Sequence, residues 1–248
     1  MNKTKGLLEQ LTEGPVICAE GYLFELERRG YLSAGAYVPE VVLEHPEVVT
    51  QLHRDFVHAG SDVVEAFTYY AHREKLRQLG KEELLEQMNR EALRIAKEVA
   101  QETNTLLAGN ICNTNAYIEG DADSPKIVRA MFDEQLEWAI DAGVDFIIAE
   151  TFEFSGEAQI ALEAIKKTNL PAVVTLVIYR KGVTREDISP QDTCKQLEDA
   201  GADVVGLNCA RGPNTMLPLL ESICEAVTCP VAALPVPYRT KDKEPTFQ

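Results

Sequence analysis

No run of 18 apolar residues occurs in the 248-residue sequence, so it offers no segment of the length a membrane-spanning helix needs. The opening stretch, MNKTKGLLEQLTEG, has no apolar core of signal-peptide length and reads as a short amphipathic lead-in. Basic residues are in deficit, with 24 Lys and Arg against 40 Asp and Glu, which gives a net charge of −16. Such a surface repels phosphate backbones and anionic lipid, and so argues against nucleic-acid and membrane partners. The acids are spread along helix faces such as KEELLEQ and DEQLEW, as on a solvated surface. None of the six cysteines forms a CxxC pair, and no stretch is of low complexity or linker-like. These absences point to one cytoplasmic globular domain over residues 1–248 whose cysteines are mostly buried small hydrophobes without disulfides.

What is present is a faint internal repeat. Ala-Gly-x-Asp followed by apolar residues occurs at Ala59-Gly60-Ser61-Asp62, Ala142-Gly143-Val144-Asp145 and Ala200-Gly201-Ala202-Asp203, each time after an amphipathic segment. Glycine can close a helix in the left-handed conformation, and the β-branched run after it can start a buried strand. A helix, a short turn and a parallel strand, repeated, is the unit of a (β/α)8 TIM-type barrel. A doubly wound sheet competes, but no glycine-rich phosphate loop follows the first expected strand.

The pattern predicts seven strands: Val16–Glu20, Val63–Phe67, Thr105–Asn110, Phe146–Glu150, Ala172–Ile178, Val204–Asn208 and Val231–Leu234. Among the helices between them, one is expected to bury Val49, Leu52, Phe56 and Val57, another Leu84, Leu85, Met88, Ile95 and Val99. Seven is one strand short, and a parallel barrel lacking a strand exposes two hydrogen-bonding edges. The sequence is therefore expected to be C-terminally incomplete, with the eighth strand missing.

Barrel active sites lie at the carboxyl ends of the strands. Those ends supply the acids Glu20 and Glu150, each fit to cap a helix or to bind a cationic group such as an ammonium. Phe67, Tyr69 and Tyr70, near the second strand, offer aromatic faces, as does Tyr37. These side chains either pack the rim or form a cage for an onium methyl donor, held by cation–π attraction of up to about 2 kcal/mol per face. Cys209, before Arg211-Gly212-Pro213, is either an ordinary buried thiol or a functional one. A single cysteine makes no metal site, because catalytic zinc takes three protein ligands and an open position.

Several stretches together resemble the homocysteine S-methyltransferase family, and within it the betaine-using branch, over nearly the whole chain. They are Glu44-His45-Pro46-Glu47 through Gln51-Leu52-His53-Arg54, Ala59-Gly60-Ser61, Phe67-Thr68-Tyr69-Tyr70-Ala71, Ala149-Glu150-Thr151-Phe152-Glu153 and Gly206-Leu207-Asn208-Cys209. The resemblance implies a zinc enzyme that moves a methyl group from a betaine-like onium donor to the thiol of homocysteine, giving methionine. It places a zinc ligand at Cys209, the homocysteine amino group at Glu150, its amino-acid moiety at Gly21 and the donor at Tyr70. Two further ligands are implied in a Gly-Gly-Cys-Cys-Gly type motif on an eighth strand, so zinc is expected to be absent or weakly held in this chain, and the chain itself inactive. Three positions depart from the family: Glu20 replaces an aspartate, Tyr37 a tryptophan and Ala66 a threonine. They leave homocysteine as the expected acceptor and the donor open. The expected partners are small molecules, with homo-oligomerisation left open. The alternative is a non-catalytic barrel that binds a small amino acid or methylated amine.

Overall fold

The computed structural model of the chain describes residues 5–32, 39–179 and 182–236. It divides into two compact units, Met1–Asn115 with Met131–Ile147, and Ala116–Ala130 with Ile148–Gln248. The first holds α1 (Leu7–Leu11), α2 (Tyr22–Arg28), α3 (Val41–Glu44), α4 (Pro46–His58), β1 (Val63–Glu65), α5 (Arg73–Leu79), α6 (Leu85–Thr103) and β2 (Leu106–Cys112). Helix α7 (Ser124–Ala142) and strand β3 (Phe146–Phe152) run through the division. The second unit continues with α8 (Ser155–Lys166), β4 (Ala172–Leu176), α9 (Pro190–Asp199), β5 (Val204–Asn208), α10 (Pro213–Ala226) and β6 (Val231–Leu234).

The repeated Ala-Gly-x-Asp segments explain how helix passes into strand. Gly60, Gly143 and Gly201 have φ of 111°, 77° and 99°, where side-chain-bearing residues are strained. The N–H after each glycine reaches back five residues: Ser61 to Phe56 O, Val144 to Ala139 O, Ala202 to Leu197 O. That is the helix-closing Schellman turn. The aspartate of each copy then clamps an earlier segment of its own unit. Asp62 N–H donates to Ile17 O and the Asp62 carboxylate accepts Ile17 N–H; Asp145 does the same with Leu107, and Asp203 with Ala172.

Strands pair in parallel and in chain order within each unit. In the first, Val63 stands opposite Leu106 and Glu65 opposite Ala108. In the second, Val173 faces Val204 and Leu176 faces Leu207, while Val205 faces Val231 and Asn208 faces Leu234. Helices α6 against β1 and β2, α8 against β4, and α9 and α10 against β5 supply the cover. Strands β1, β2, β4 and β5 are buried along their whole length, as near-continuous apolar runs require, whereas β6 is half-exposed.

Two expectations need correction. Six strands, not seven, stand among the described residues. The expected first strand is reduced to a single parallel bridge, Cys18 to Val63, with Ala19 N–H on Val63 O. Its neighbour β1 is three residues long and spends all three on its ladder with β2. On α4, Val49 and Leu52 are buried as expected, but the third buried residue is His53, while Phe56 and Val57 are half-exposed. On α6, Leu85, Met88, Ile95 and Val99 are buried as the periodicity implies, whereas Leu84 lies in the 3₁₀ turn just before it and is half-buried. Among the described residues, no helix is long and apolar enough to cross a membrane.

Candidate functional site

Glu20, Gly21, Phe67 and Tyr70 belong to the first unit, Glu150 and Cys209 to the second, and Tyr37 lies outside the described residues. In the first unit, Glu20 is half-buried just before Gly21, which starts α2 at φ 86°. The next residue, Tyr22, anchors a buried polar group. Its hydroxyl lies 2.9 Å from His53 Nδ1 and accepts the Glu65 N–H at 3.4 Å. Glu65 is buried in turn, and its Oε1 accepts from Asn110 Nδ2 at 2.6 Å. Burial, then the charges of Glu20 and Glu65, pushes the neighbouring Cys18 thiol far above the ordinary thiol range. Burial alone holds His53 down at about 3, so its ring is neutral at physiological pH. Tyr22 accepts from Glu65, and its O–H is able to donate to His53 Nδ1 in the tautomer that carries the ring hydrogen on Nε2.

The aromatic residues separate into two sets. Phe67 is buried and stacked on Tyr22, with centroids 5.6 Å apart at 27°. Tyr70 belongs to another set, 4.3 Å from Tyr69 and edge-on to His72 at 5.8 Å, with Lys75 Nζ 4.9 Å from its ring centroid. Its backbone sits at φ 61°, and its N–H donates to Cys112 Sγ at 3.3 Å. A bulky residue in this region is strained, which is common where a side chain must be aimed. Burial, followed by Cys112, raises the Tyr70 hydroxyl above its ordinary value.

In the second unit, the ends of β3, β4 and β5 meet on one amide. Asn208 Nδ2 donates to Glu150 Oε2 at 2.9 Å and to Thr151 Oγ1 at 2.7 Å. Its Oδ1 accepts Thr151 N–H at 2.9 Å and Thr175 Oγ1–H at 2.9 Å. The half-buried carboxylate of Glu150 is thereby fixed at the carboxyl end of β3. One residue further on, Cys209 and Ala210 have consecutive left-handed backbones, φ 61° and 55°. The turn is tied by Cys209 N–H to Leu234 O at 3.0 Å and Arg211 Nε to Ile178 O at 2.8 Å. Left-handed residues other than glycine cost roughly 1–3 kcal/mol each and persist where surrounding bonds impose them.

All six cysteines are outside disulfides. Cys224 is exposed on α10, and Cys229 precedes β6 with its N–H on Glu198 Oε1, so both stand at the amino end of β6 and not with Cys209. Among the described residues, no group of three or more His, Cys, Asp or Glu is placed to hold a metal. Cys209 alone therefore does not constitute the implied zinc site. Sequence reasoning gave no role to Asn208, Thr151 and Thr175. Only the strand-end rule could have pointed to them, because their pairing joins residues 33 and 57 positions apart.

Comparison with known proteins places the chain in a family. The homocysteine S-methyltransferase family model matches residues 17–246. Betaine–homocysteine S-methyltransferase 1 of Bos taurus is 38% identical over 251 residues, covering 97% of this chain and 61% of that protein. S-methylmethionine–homocysteine S-methyltransferase BHMT2 of Pongo abelii is 40% identical, covering 90% of this chain and 60% of its own length. The chain thus spans about three-fifths of these curated relatives. Among solved structures, the metallated form of the homocysteine methyltransferase MmuM from Escherichia coli matches with a TM-score of 0.77 at 18% identity, covering 90% of this chain and 84% of that one. Its oxidized form gives 0.78 over 98% and 87%. At such identity the likeness concerns the fold, which is α/β with a parallel sheet of TIM-barrel type. With nearly the whole sequence matched by the family model, the chain belongs to the homocysteine S-methyltransferase family.

Proposed function

We propose that the chain is the homocysteine-binding barrel domain of a methyltransferase that moves a methyl group from a betaine-like onium donor to the homocysteine thiol, giving methionine. The observation that carries this is the Glu150 carboxylate, pinned by Asn208 one residue before Cys209. A fixed, half-buried carboxylate suits a substrate ammonium, and a charge-assisted bond of this kind contributes about 1.5–3 kcal/mol. Relatives named for betaine–homocysteine and S-methylmethionine–homocysteine methyl transfer support both the acceptor and an onium donor.

In the reaction, the thiol gives up its proton to solvent, and the sulfur–methyl bond forms as the bond from methyl to the onium nitrogen or sulfur breaks. The leaving group departs as a neutral amine or sulfide, so no general acid is needed, and catalysis is largely positioning and desolvation. Glu150 would orient the amino group; the family resemblance implies that Gly21, next to Glu20 in the sequence, leaves room for the amino-acid moiety. Tyr70 would present a ring to the donor's positive charge, with Tyr37 as a further aromatic face. Zinc, which the family resemblance implies at Cys209, would supply a substrate thiolate. The described residues furnish one thiol and no complete ligand set, so no step is derived through the metal.

Titration calorimetry with homocysteine tests the proposal. Wild-type protein should bind it, and Glu150→Gln should weaken binding by about tenfold or more, in line with loss of a charged hydrogen bond. Absence of wild-type binding overturns the acceptor assignment. Binding without methyl transfer, in protein loaded with zinc and given an onium donor, would favour the non-catalytic alternative.

A further inference from the structure

We infer that Asn208 is the positioning residue of this site, acting on substrate through Glu150 and not by contact of its own. The inference rests on Glu150 being the ammonium-binding carboxylate. Asn208 is 4% exposed, and its amide has two N–H donors and two acceptor lone pairs. All four are in use, on Glu150, Thr151 Oγ1, Thr151 N–H and Thr175 Oγ1–H. Nothing remains with which the amide could bind a ligand.

The orientation of that amide is forced. A backbone N–H can only donate, so Oδ1 must face Thr151, and the nitrogen must then face Glu150, whose ionised carboxylate can only accept. Thr151 closes the ring by donating from Oγ1 to Glu150 Oε2 at 3.4 Å. Thr151 is β-branched and stands at φ 64°, a conformation such residues avoid. Both its N–H and its hydroxyl are held by Asn208, so the amide supplies the bonds that keep this backbone in place. One side chain thus ties the Glu150 carboxylate to the left-handed residue that follows it and to β4. Aspartate would bring a second negative charge against Glu150, and leucine would remove the bonds that Asn208 makes to Thr151 N–H and to the carboxylate.

The test compares homocysteine with 4-mercaptobutanoate, the same skeleton without the amino group, in Asn208→Ala, Glu150→Gln and the double variant. Asn208→Ala should weaken homocysteine by about tenfold, the scale of one charged hydrogen bond, while leaving the deaminated analogue within a factor of about 3. In the Glu150→Gln background the same change should add little, because the two act as a unit. Equal losses for both ligands, or additive effects in the double variant, would overturn the inference. Where alanine does not fold, Asn208→Ser keeps a hydroxyl for Thr151 N–H and still removes the donor to Glu150. Carboxyl carbon NMR of Glu150 in the ligand-free protein gives an independent readout. Its titration midpoint should rise in either Asn208 variant, since a bond to the charged form is lost. An unmoved midpoint rejects the positioning role, whereas a shifted midpoint with no homocysteine binding rejects the substrate assignment alone.

Discussion

Asp203 and Ala172 hold each other twice: the Asp203 N–H donates to the Ala172 carbonyl at 3.0 Å, and the Ala172 N–H returns to the Asp203 carboxylate at 2.9 Å. Ala172 is fully buried, so its N–H cannot turn to water. Asp203→Ala should cost about 1–3 kcal/mol, the penalty of an orphaned buried donor, with a smaller contribution from the Lys166 ammonium 3.6 Å away. Asp203→Asn keeps an acceptor and should cost less. Urea unfolding of the two variants checks the order; equal losses would mean that charge, and not the bond, matters.

A second stability prediction concerns Gly206, which stands opposite Ala232 in the β5–β6 ladder. A Cβ there would run into the carbonyl oxygen of Ala232 and lie 2.8 Å from that residue's carbonyl carbon and nitrogen. Backbone cannot step aside as a side-chain tip can, so Gly206→Ala should cost at least the roughly 1–3 kcal/mol of ordinary overpacking. A thermal midpoint within a degree of wild type would show that β6 moves freely, contrary to the expectation.

The same repeat shows what the sequence could and could not tell. Ala-Gly-x-Asp was legible because a left-handed glycine closing a helix is a local requirement, met within a few residues, whereas the partners of its aspartates lie 45, 38 and 31 residues earlier. The buried faces of α6 were legible because a 3.6-residue period records which side meets the sheet. The segment Val16–Glu20 looked like a strand for an equally local reason, its apolar run, yet pairing depends on a partner distant in the chain, which the run does not encode. Asn208 was visible only as part of a motif. Its partners Thr151 and Thr175 come from other strands, and nothing in the spacing announces that one amide will satisfy all of them. His53 was overlooked because the helix period counts apolar residues, whereas this position buries a polar ring whose partner, Tyr22, lies 31 residues earlier.

Two buried histidines should make stability depend on pH above the carboxylate range. His53 is held at about 3 by burial, and His72 at about 4 by burial and then by Lys75. Above about 6.5 both rings are neutral in folded and unfolded chains alike and contribute nothing. Below 6.5 the unfolded chain takes up protons that the folded chain refuses, so stability falls as pH drops toward the folded values. The slope approaches about 1.4 kcal/mol per pH unit for each histidine. Denaturant unfolding between pH 7.5 and 5 should show this, and His53→Gln should remove about half of the slope. The carboxylates of Glu74 and Glu198, held at about 2 by hydrogen bonds to Arg77 and Thr228 respectively, lose their contribution only below about 4.5. A slope unchanged in His53→Gln would assign the dependence elsewhere.

Glu186 caps α8 from the loop that follows β4, taking the N–H groups of Ser155 and, at 2.9 Å, Gly156. A carboxylate at a helix N-terminus is favoured both by unpaired donors and by the helix dipole. Glu186→Ala should destabilise the protein by about 1–2 kcal/mol, as for loss of a good cap. Tyr117 offers a spectroscopic control, because burial and then the charge of Glu186 raise its hydroxyl above the ordinary value. Glu186→Gln should bring the Tyr117 titration down, and an unmoved phenol would place the carboxylate elsewhere in solution.

The donor side of the proposed reaction turns on Tyr70 and Lys75. Lys75 Nζ already lies 4.9 Å from the Tyr70 centroid, so a positive charge is resident beside the ring proposed to receive an onium group. Two cations near one ring repel, and a donor bearing a carboxylate brings the charge that relieves this. Tyr70→Phe keeps the ring and should hold donor affinity within a factor of about 3, whereas Tyr70→Leu should lose roughly 1–2 kcal/mol of cation–π attraction. Lys75→Met should improve binding of tetramethylammonium, a plain cation, more than binding of trimethylglycine, which carries its own carboxylate. Calorimetry with these two probes decides the matter. An unchanged ratio between them in Lys75→Met would show that the lysine does not sense the donor's charge, and equal affinity in Tyr70→Phe and Tyr70→Leu would remove the ring from the donor site.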